Sequence, residues 1–397
     1  MPGSTRILVI GAGTAGSAAI RELAQHEEIT ATAIINAEVS PYNRTLINKA
    51  VITGLVDVHQ AHLPDPSAPS IRDGVRAVNP LEQTVHLRSG ARLDYDALIV
   101  ATGSAPRPLP PSIASPAALN SGRVTHLHSL DDALRVRAIL ERTHSPQVLI
   151  YGAGFIGAET AGILRDAGCR ITLAASSPIP GITAFGVQIA EQFAQAHQGS
   201  VDTRFGHPLT VLDLLGSGLH AVFADGHDVS ADLAITALGT RPDAPAPWNG
   251  PILVDSRLRS GDHENVYAAG GVAVHELDGR TWRIDHWGDA AAQGTHAARS
   301  LLSAVGLGDD PGPYHPRTLY SAQIHQHHYF AAGHTSPLGI PRTASTDPLV
   351  LTHEHAGVLV GVSGLDAAPD VMGLVPHLHT PTPKTLTAEF HPSTYTP

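Results

Sequence analysis

Two glycine-rich stretches hold the residues of this sequence best suited to chemistry. Gly11-Ala12-Gly13-Thr14-Ala15-Gly16 and Gly152-Ala153-Gly154-Phe155-Ile156-Gly157 both place glycines first, third and sixth. At that spacing the first glycine permits a tight turn and the second lets backbone approach a pyrophosphate. The third lets a helix pack closely on a strand. A helix opening there offers unpaired N–H groups and the positive end of its dipole to phosphate oxygens. The pattern has this meaning only between a strand and a helix. The apolar run 6–10 predicts a buried parallel strand before the first loop, and residues 17–25 predict a helix after it. Residues 148–151 and 158–167 predict the same pair around the second loop.

The surroundings of the loops repeat as well. Each is followed by a second apolar strand, at 33–35 and at 170–174. Asp96-Ala97-Leu98-Ile99-Val100-Ala101-Thr102-Gly103-Ser104 matches Asp232-Leu233-Ala234-Ile235-Thr236-Ala237-Leu238-Gly239-Thr240 as D-x-x-I-x-A-x-G-[ST]. Two coincident repeats in the same order indicate a duplicated dinucleotide-binding module. The expected fold class is α/β with two Rossmann-like modules. Alternation within 71–92 predicts short antiparallel strands, and the proline-rich stretch 106–116 predicts a connection between domains.

Composition narrows the function classes. A chain of 397 residues predicts two or three domains, and 42% hydrophobic with 15% charged residues describes a globular protein. No run reaches the roughly 18 apolar residues of a membrane span. A strand starting within the first residues leaves no room for a signal peptide. The single Cys169 excludes an internal disulfide, and with it a redox-active cysteine pair; it also suits a reducing cytoplasm. A net charge of −11 argues against nucleic acid or anionic membrane as the partner. The 25 histidines include His325-Gln326-His327-His328, His353-Glu354-His355 and His377-Leu378-His379. Without accompanying cysteines or a helical H-E-x-x-H, they predict no metal site. Lys49 and Lys384 are the only lysines, so Lys49 stands out in a chain that otherwise uses arginine.

Lys49 ends the run Pro41-Tyr42-Asn43-Arg44-Thr45-Leu46-Ile47-Asn48-Lys49. This run resembles the FAD-dependent NAD(P)H:ferredoxin reductases of the rubredoxin and putidaredoxin reductase type, within the pyridine nucleotide-disulfide oxidoreductase superfamily and related to apoptosis-inducing factor. Asn265-Val266-Tyr267-Ala268-Ala269-Gly270-Gly271 is similar to that superfamily's last FAD fingerprint. Asp285-His286-Trp287-Gly288 looks like its histidine-tryptophan segment, and the chain from about 316 like its small C-terminal domain. The resemblance implies an FAD domain in two segments (1–112 and 248–315), an NAD(P) domain inserted at 113–247, and a C-terminal α+β domain at 316–397.

The same resemblance implies the site residues. Gly11, Gly13, Thr14, Ala15, Gly16, Arg44, Lys49, Ala101, Thr102, Gly103, Gly270, Gly271, His286 and Trp287 would hold FAD. Glu38, or Asn36 in its place, would take the adenosine ribose. Gly152, Gly154, Phe155, Ile156, Gly157, Glu159 and Gly239 would hold NAD or NADP. Lys49 and Glu159 would pair at the junction of the two rings, although a carboxylate in the first turn of a helix is also favoured by the dipole alone. Gly271 stands where the family has an aspartate on the ribityl chain, so Gly271→Asp is expected to strengthen FAD retention. Ala175 stands where an acid would bind the NAD ribose, which leaves NADP open. Tyr320 replaces the family's flavin-covering tryptophan.

The implied activity is hydride transfer from NAD(P)H to FAD, with electrons passed to a ferredoxin-type carrier. Alternatives are a flavin oxidoreductase acting on its own small-molecule substrate, and a weakly catalytic dinucleotide-binding protein. A monomer or homodimer is expected. An acidic carrier requires a basic face, for which Arg135, Arg137 and Arg142 on one helix and Arg280 and Arg283 beside Trp282 are the candidates.

Overall fold

The sequence repeat folds as two versions of one parallel sheet. The computed structural model describes residues 5–35, 40–64, 68–335 and 338–381. The first sheet runs Val266–Ala268, Ala97–Val100, Thr5–Ile10, Ile29–Ile35, Ser70–Arg72, with every neighbour parallel. The second runs Asp202–Phe205, Arg170–Ala175, Gln147–Tyr151, Leu233–Thr236, Val124–Thr125, again all parallel. In both, the strand that feeds the glycine loop is central. Its residues 7–10 in the first sheet and 148–151 in the second are apolar and buried, as strands covered on both faces must be.

The repeated segments make the same bonds in each sheet. Arg6 N–H donates to Asp96 Oδ2 at 2.7 Å, and Gln147 N–H donates to Asp232 Oδ2 at 2.9 Å. Gly11 N–H reaches Ile34 O at 2.9 Å, and Gly152 N–H reaches Ala174 O at 2.8 Å. Ala101 N–H to Ile10 O and Ala237 N–H to Tyr151 O are both 2.8 Å. The aspartate of the repeat therefore anchors the start of the central strand, and its alanine closes the other end.

Both helices begin earlier than their apolar periodicity indicates, at Thr14–Leu23 and Phe155–Asp166. The middle glycine of each loop is the N-cap, and its carbonyl accepts from Ser17 N–H or Ala158 N–H at 2.9 Å. The second half of each loop is thus already the first helical turn.

The described residues fall into two compact units. The first draws on 1–44, 59–105 and 240–314, and the second on 45–58, 106–239 and 315–397. In the first, Val75–Asn79, Thr84–Leu87 and Arg92–Asp94 form the antiparallel sheet expected within 71–92. The long helix Trp287–Ala304 crosses Thr14–Leu23 closely: a Cβ on Gly294 would lie 2.0 Å from Ala15 O. In the second unit, Leu209–Leu215, Gly218–Phe223 and Asp228–Ala231 form an antiparallel sheet that sequence reading did not single out. Its C-terminal part is an antiparallel sheet whose central pair is Leu349–His355 and Val358–Leu365.

Candidate dinucleotide sites

The first loop is shaped by close backbone approaches. Gly11 has φ +99°, and a Cβ there would lie 2.4 Å from Ala101 O; one on Gly16 would lie 1.9 Å from Gly11 O. Gly13 is different, because a Cβ would meet nothing within 4 Å. The space above it is what a pyrophosphate needs. The helix it caps has no side-chain cap and no acidic residue in its first turn, so Thr14, Ala15 and Gly16 bring amides that no side chain has claimed. Thr102 Oγ1 is buried without a hydrogen-bond partner beside Ala101 and Gly103. An open backbone cradle and an orphaned hydroxyl fit a bound dinucleotide.

A second turn of the same unit is held by a buried relay. Tyr314 Oη donates to Asp289 Oδ1 at 2.7 Å, and Gln293 Nε2 donates to Asp289 Oδ2 at 2.6 Å. Gln293 Oε1 in turn accepts from Gly270 N–H at 2.8 Å. Gly270 has φ +77°, and the Gly270–Val272 turn is buried. Asp289 is 1% exposed, and burial pushes its pKa up to about 6 despite the two donors. A raised carboxyl pKa means stability that is present below the unfolded value of 3.8 and lost as pH rises through about 6. Relative to Asp289→Asn, the native protein should lose about 2 kcal/mol between roughly pH 4.5 and 7.5. Urea midpoints at the two pH values measure this, and parallel profiles for the two proteins would refute it.

The remaining flavin-side residues are partly placed. Arg44 lies over the Tyr42 ring at 5.4 Å. His286 caps the helix that Trp287 begins, its Nδ1 accepting from Gly288 N–H at 3.2 Å. Asn36 and Glu38 lie outside the described residues.

The surroundings of Gly271 bear on the Gly271→Asp expectation. A Cβ on Gly271 would lie 2.5 Å from Asp285 Oδ1 and 3.2 Å from Ser104 Cβ, so an aspartate there requires the Asp285 side chain to shift.

In the second unit, Gly152 (φ +113°) and Gly157 approach backbone as their counterparts do, while Gly154 again faces open space. Gly239 has φ +76° at the end of the repeated segment, as Gly103 has φ +80°. Phe155 packs against Phe185 (4.8 Å between ring centres) and edge-on to Tyr320 (5.6 Å), and Ile156 is exposed. Ala175 is buried, and its carbonyl accepts from Gly206 N–H; Ser176 and Ser177 are exposed.

The chain brings Lys49 and Glu159 together here: Lys49 Nζ is 2.9 Å from Glu159 Oε1. Asn48 Nδ2 donates to Oε2 at 2.9 Å, and Gln323 N–H points at Oε1 at 3.4 Å. Because the helix starts at Phe155, Glu159 lies beyond its first turn, and the dipole alone does not explain a buried carboxylate. Asn48 and Gln323, which sequence reading gave no role, complete its shell. The lysine is held on a single π-helical turn, Ile47–Val51.

Of the arginine candidates for a basic face, one turns inward and two lie beside carboxylates. Arg283 points inward: Nη1 donates to Gly271 O at 3.0 Å, and Nη2 to Thr240 O at 2.9 Å. Arg135 sits 3.6 Å from Asp132, and Arg137 sits 2.8 Å from Glu141. Arg283 is mostly buried and paired with Asp285, while Arg135 and Arg137 stay partly exposed in surface ion pairs.

The histidine runs are mostly packed structure. His325 Nε2 and His197 Nδ1 share a hydrogen bond at 3.1 Å, His353 bonds Ser363, and His379 donates to Pro316 O. Burial lowers His197 to about 3 and His325, His353 and His379 to about 4. Among the described residues, no three His, Cys, Asp or Glu side chains converge on a metal position. Cys169 is buried, and burial raises its thiol. No helix among the described residues is long and apolar enough to cross a membrane.

Known proteins share this arrangement. Residues 5–294 match the family model of the pyridine nucleotide-disulphide oxidoreductases. The ferredoxin–NAD(+) reductase component of the anthranilate 1,2-dioxygenase system from Burkholderia cepacia is 29% identical over 319 residues, 75% of each chain. Putidaredoxin reductase from Pseudomonas putida is 28% identical over 325 residues, 77% of this chain and 76% of that one. In the solved covalent putidaredoxin reductase–putidaredoxin complex, a chain superposes with a TM-score of 0.81 at 20% identity, covering 96% and 95% of the two chains. The chain belongs to the pyridine nucleotide-disulphide oxidoreductase family and is an oxidoreductase that uses FAD and a pyridine nucleotide.

Proposed function

We propose that this chain is a cytoplasmic flavoenzyme that oxidises NAD(P)H and hands electrons to a ferredoxin-type carrier. The observation that carries the reading is a pair of dinucleotide cradles in a chain with a single, buried cysteine. No dithiol relay can form within the chain, so electrons must leave from the flavin itself. Bound FAD would supply the chemistry, an acceptor for the hydride of the reduced nicotinamide and a donor of single electrons. The chain's own groups bind and orient: the Gly11 loop and the Gly270–Gly271 turn take FAD, and the Gly152 loop takes the nicotinamide nucleotide. Lys49 and Glu159 fix the geometry where the rings meet. The domain division at 112/113, 247/248 and 315/316 belongs to this proposal. So does a loose choice between NADH and NADPH, because Ala175 supplies neither an acid for a 2′-hydroxyl nor a cation for a 2′-phosphate.

A second reading, a small-molecule acceptor, is favoured by the net charge of −11 and by the inward turn of Arg283. An acidic carrier is steered by charge, and a neutral acceptor is not. Ferredoxin-dependent turnover should therefore fall steeply over roughly 50–300 mM salt, while turnover with a neutral quinone stays nearly level. A level profile with every ferredoxin tried would select the small-molecule acceptor.

A further inference from the structure

Consecutive residues of one turn grip the Glu159 carboxylate by both of its oxygens. Lys49 Nζ lies 2.9 Å from Oε1, and Asn48 Nδ2 donates to Oε2 at 2.9 Å. Neighbours in an α-helix point about 100° apart and do not face one partner. Here Ile47–Val51 is a single π turn, closed by Ile52 N–H on Ile47 O at 3.4 Å. Such single wide turns recur at functional sites. This one turns Asn48 inward beside Ile47 and Val51 and still lets Lys49 reach the same carboxylate.

The two grips are unequal. Asn48 is 2% exposed, whereas the Lys49 side chain is nearly half exposed. A buried carboxamide is unfavourable unless its hydrogen bonds are made, and among the described residues Asn48 is the only side chain that donates to Oε2. Gln323 N–H adds only a long contact, on Oε1. The last torsion of a glutamate is broad and nearly two-fold, so a donor on one oxygen leaves the carboxylate plane able to turn. A second donor on the other oxygen closes that rotation. The lysine, on a flexible four-carbon stem, then has one fixed acceptor to rest against. We propose that Asn48 is a positioning residue for hydride transfer: from the π turn it shares with Lys49, it locks the Glu159 carboxylate and so aims the lysine ammonium.

The inference rests on the flavoenzyme reading above, and anaerobic stopped-flow reduction of the FAD-loaded protein by NADH and NADPH separates the two. A native protein that binds FAD but is reduced by neither nucleotide sinks that reading as a whole. If it is reduced, Asn48→Leu, close to asparagine in volume but without a donor, should lower the limiting rate about 5- to 20-fold. The nucleotide concentration giving half that rate should stay within about threefold of native, because the Gly152 loop still holds the dinucleotide. A merely structural asparagine would instead shift the thermal midpoint and leave the limiting rate alone. If Asn48→Leu does not fold, Asn48→Ala removes the donor without apolar bulk and carries the same expectations. A cycle with Lys49→Ala reads the coupling. With no ammonium left to aim, the Asn48 substitution should add less than about twofold to the loss from Lys49→Ala. A native limiting rate in the folded Asn48 variant, or losses that multiply in full with Lys49→Ala, overturns the proposal.

Discussion

Gly13→Val should yield a folded protein that no longer holds FAD, and Gly154→Val one that keeps FAD but is no longer reduced by NAD(P)H. Both glycines have ordinary extended backbone (φ −68° and −78°), and a Cβ on either would meet nothing within 4 Å. The added side chain therefore costs the apoprotein little, about the modest price of a poorer N-cap. It fills the space through which the backbone approaches a pyrophosphate, and Kd for the affected dinucleotide should rise at least ~100-fold. Substitution at Gly16 or Gly157 is a different experiment, since a Cβ there would strike Gly11 O or Gly152 O at 1.9 Å and damage the fold. Flavin content of purified protein and anaerobic reduction by NAD(P)H read the outcome. Retained FAD in Gly13→Val, or lost FAD in Gly154→Val, would reverse the assignment of the two modules.

Lys49→Ala should slow reduction of the flavin by the nicotinamide roughly 10- to 100-fold while FAD stays bound. The pair is asymmetric: the lysine side chain is 46% exposed and the glutamate 7%. Solvent screens the lysine, so the ion pair contributes only about 1 kcal/mol to folding. The larger effect falls on the rate, because the remaining carboxylate would keep Asn48 but lose the cation that offsets its charge. Glu159→Gln keeps the shape and most of the contacts, and should slow the step less than Lys49→Ala. Stopped-flow traces under anaerobic conditions provide the test, with urea melts as the control. Native reduction rates in Lys49→Ala would remove both residues from the ring junction.

Much of this was legible in the residues themselves. The two glycine loops, the repeated D-x-x-I-x-A-x-G-[ST] segment and the apolar runs are local patterns. They determined two parallel sheets with their central strands and helices, because backbone crowding and burial act within a few residues. The pairing of Lys49 with Glu159 was also anticipated, through a resemblance that spans both segments. The sequence did not reveal that Asn48 and Gln323 finish the shell around Glu159, since they come from distant parts of the chain. Nor did it show that Arg283 turns inward or that Asp289, Gln293 and Tyr314 form a buried relay. Position 271 makes the point most directly. Read alone, its glycine is a missing carboxylate; packed, it is the space that Asp285 occupies. Local sequence determines what each segment can form, but a side chain's partners across the fold are set only when packing brings segments together and every buried donor and acceptor must be matched.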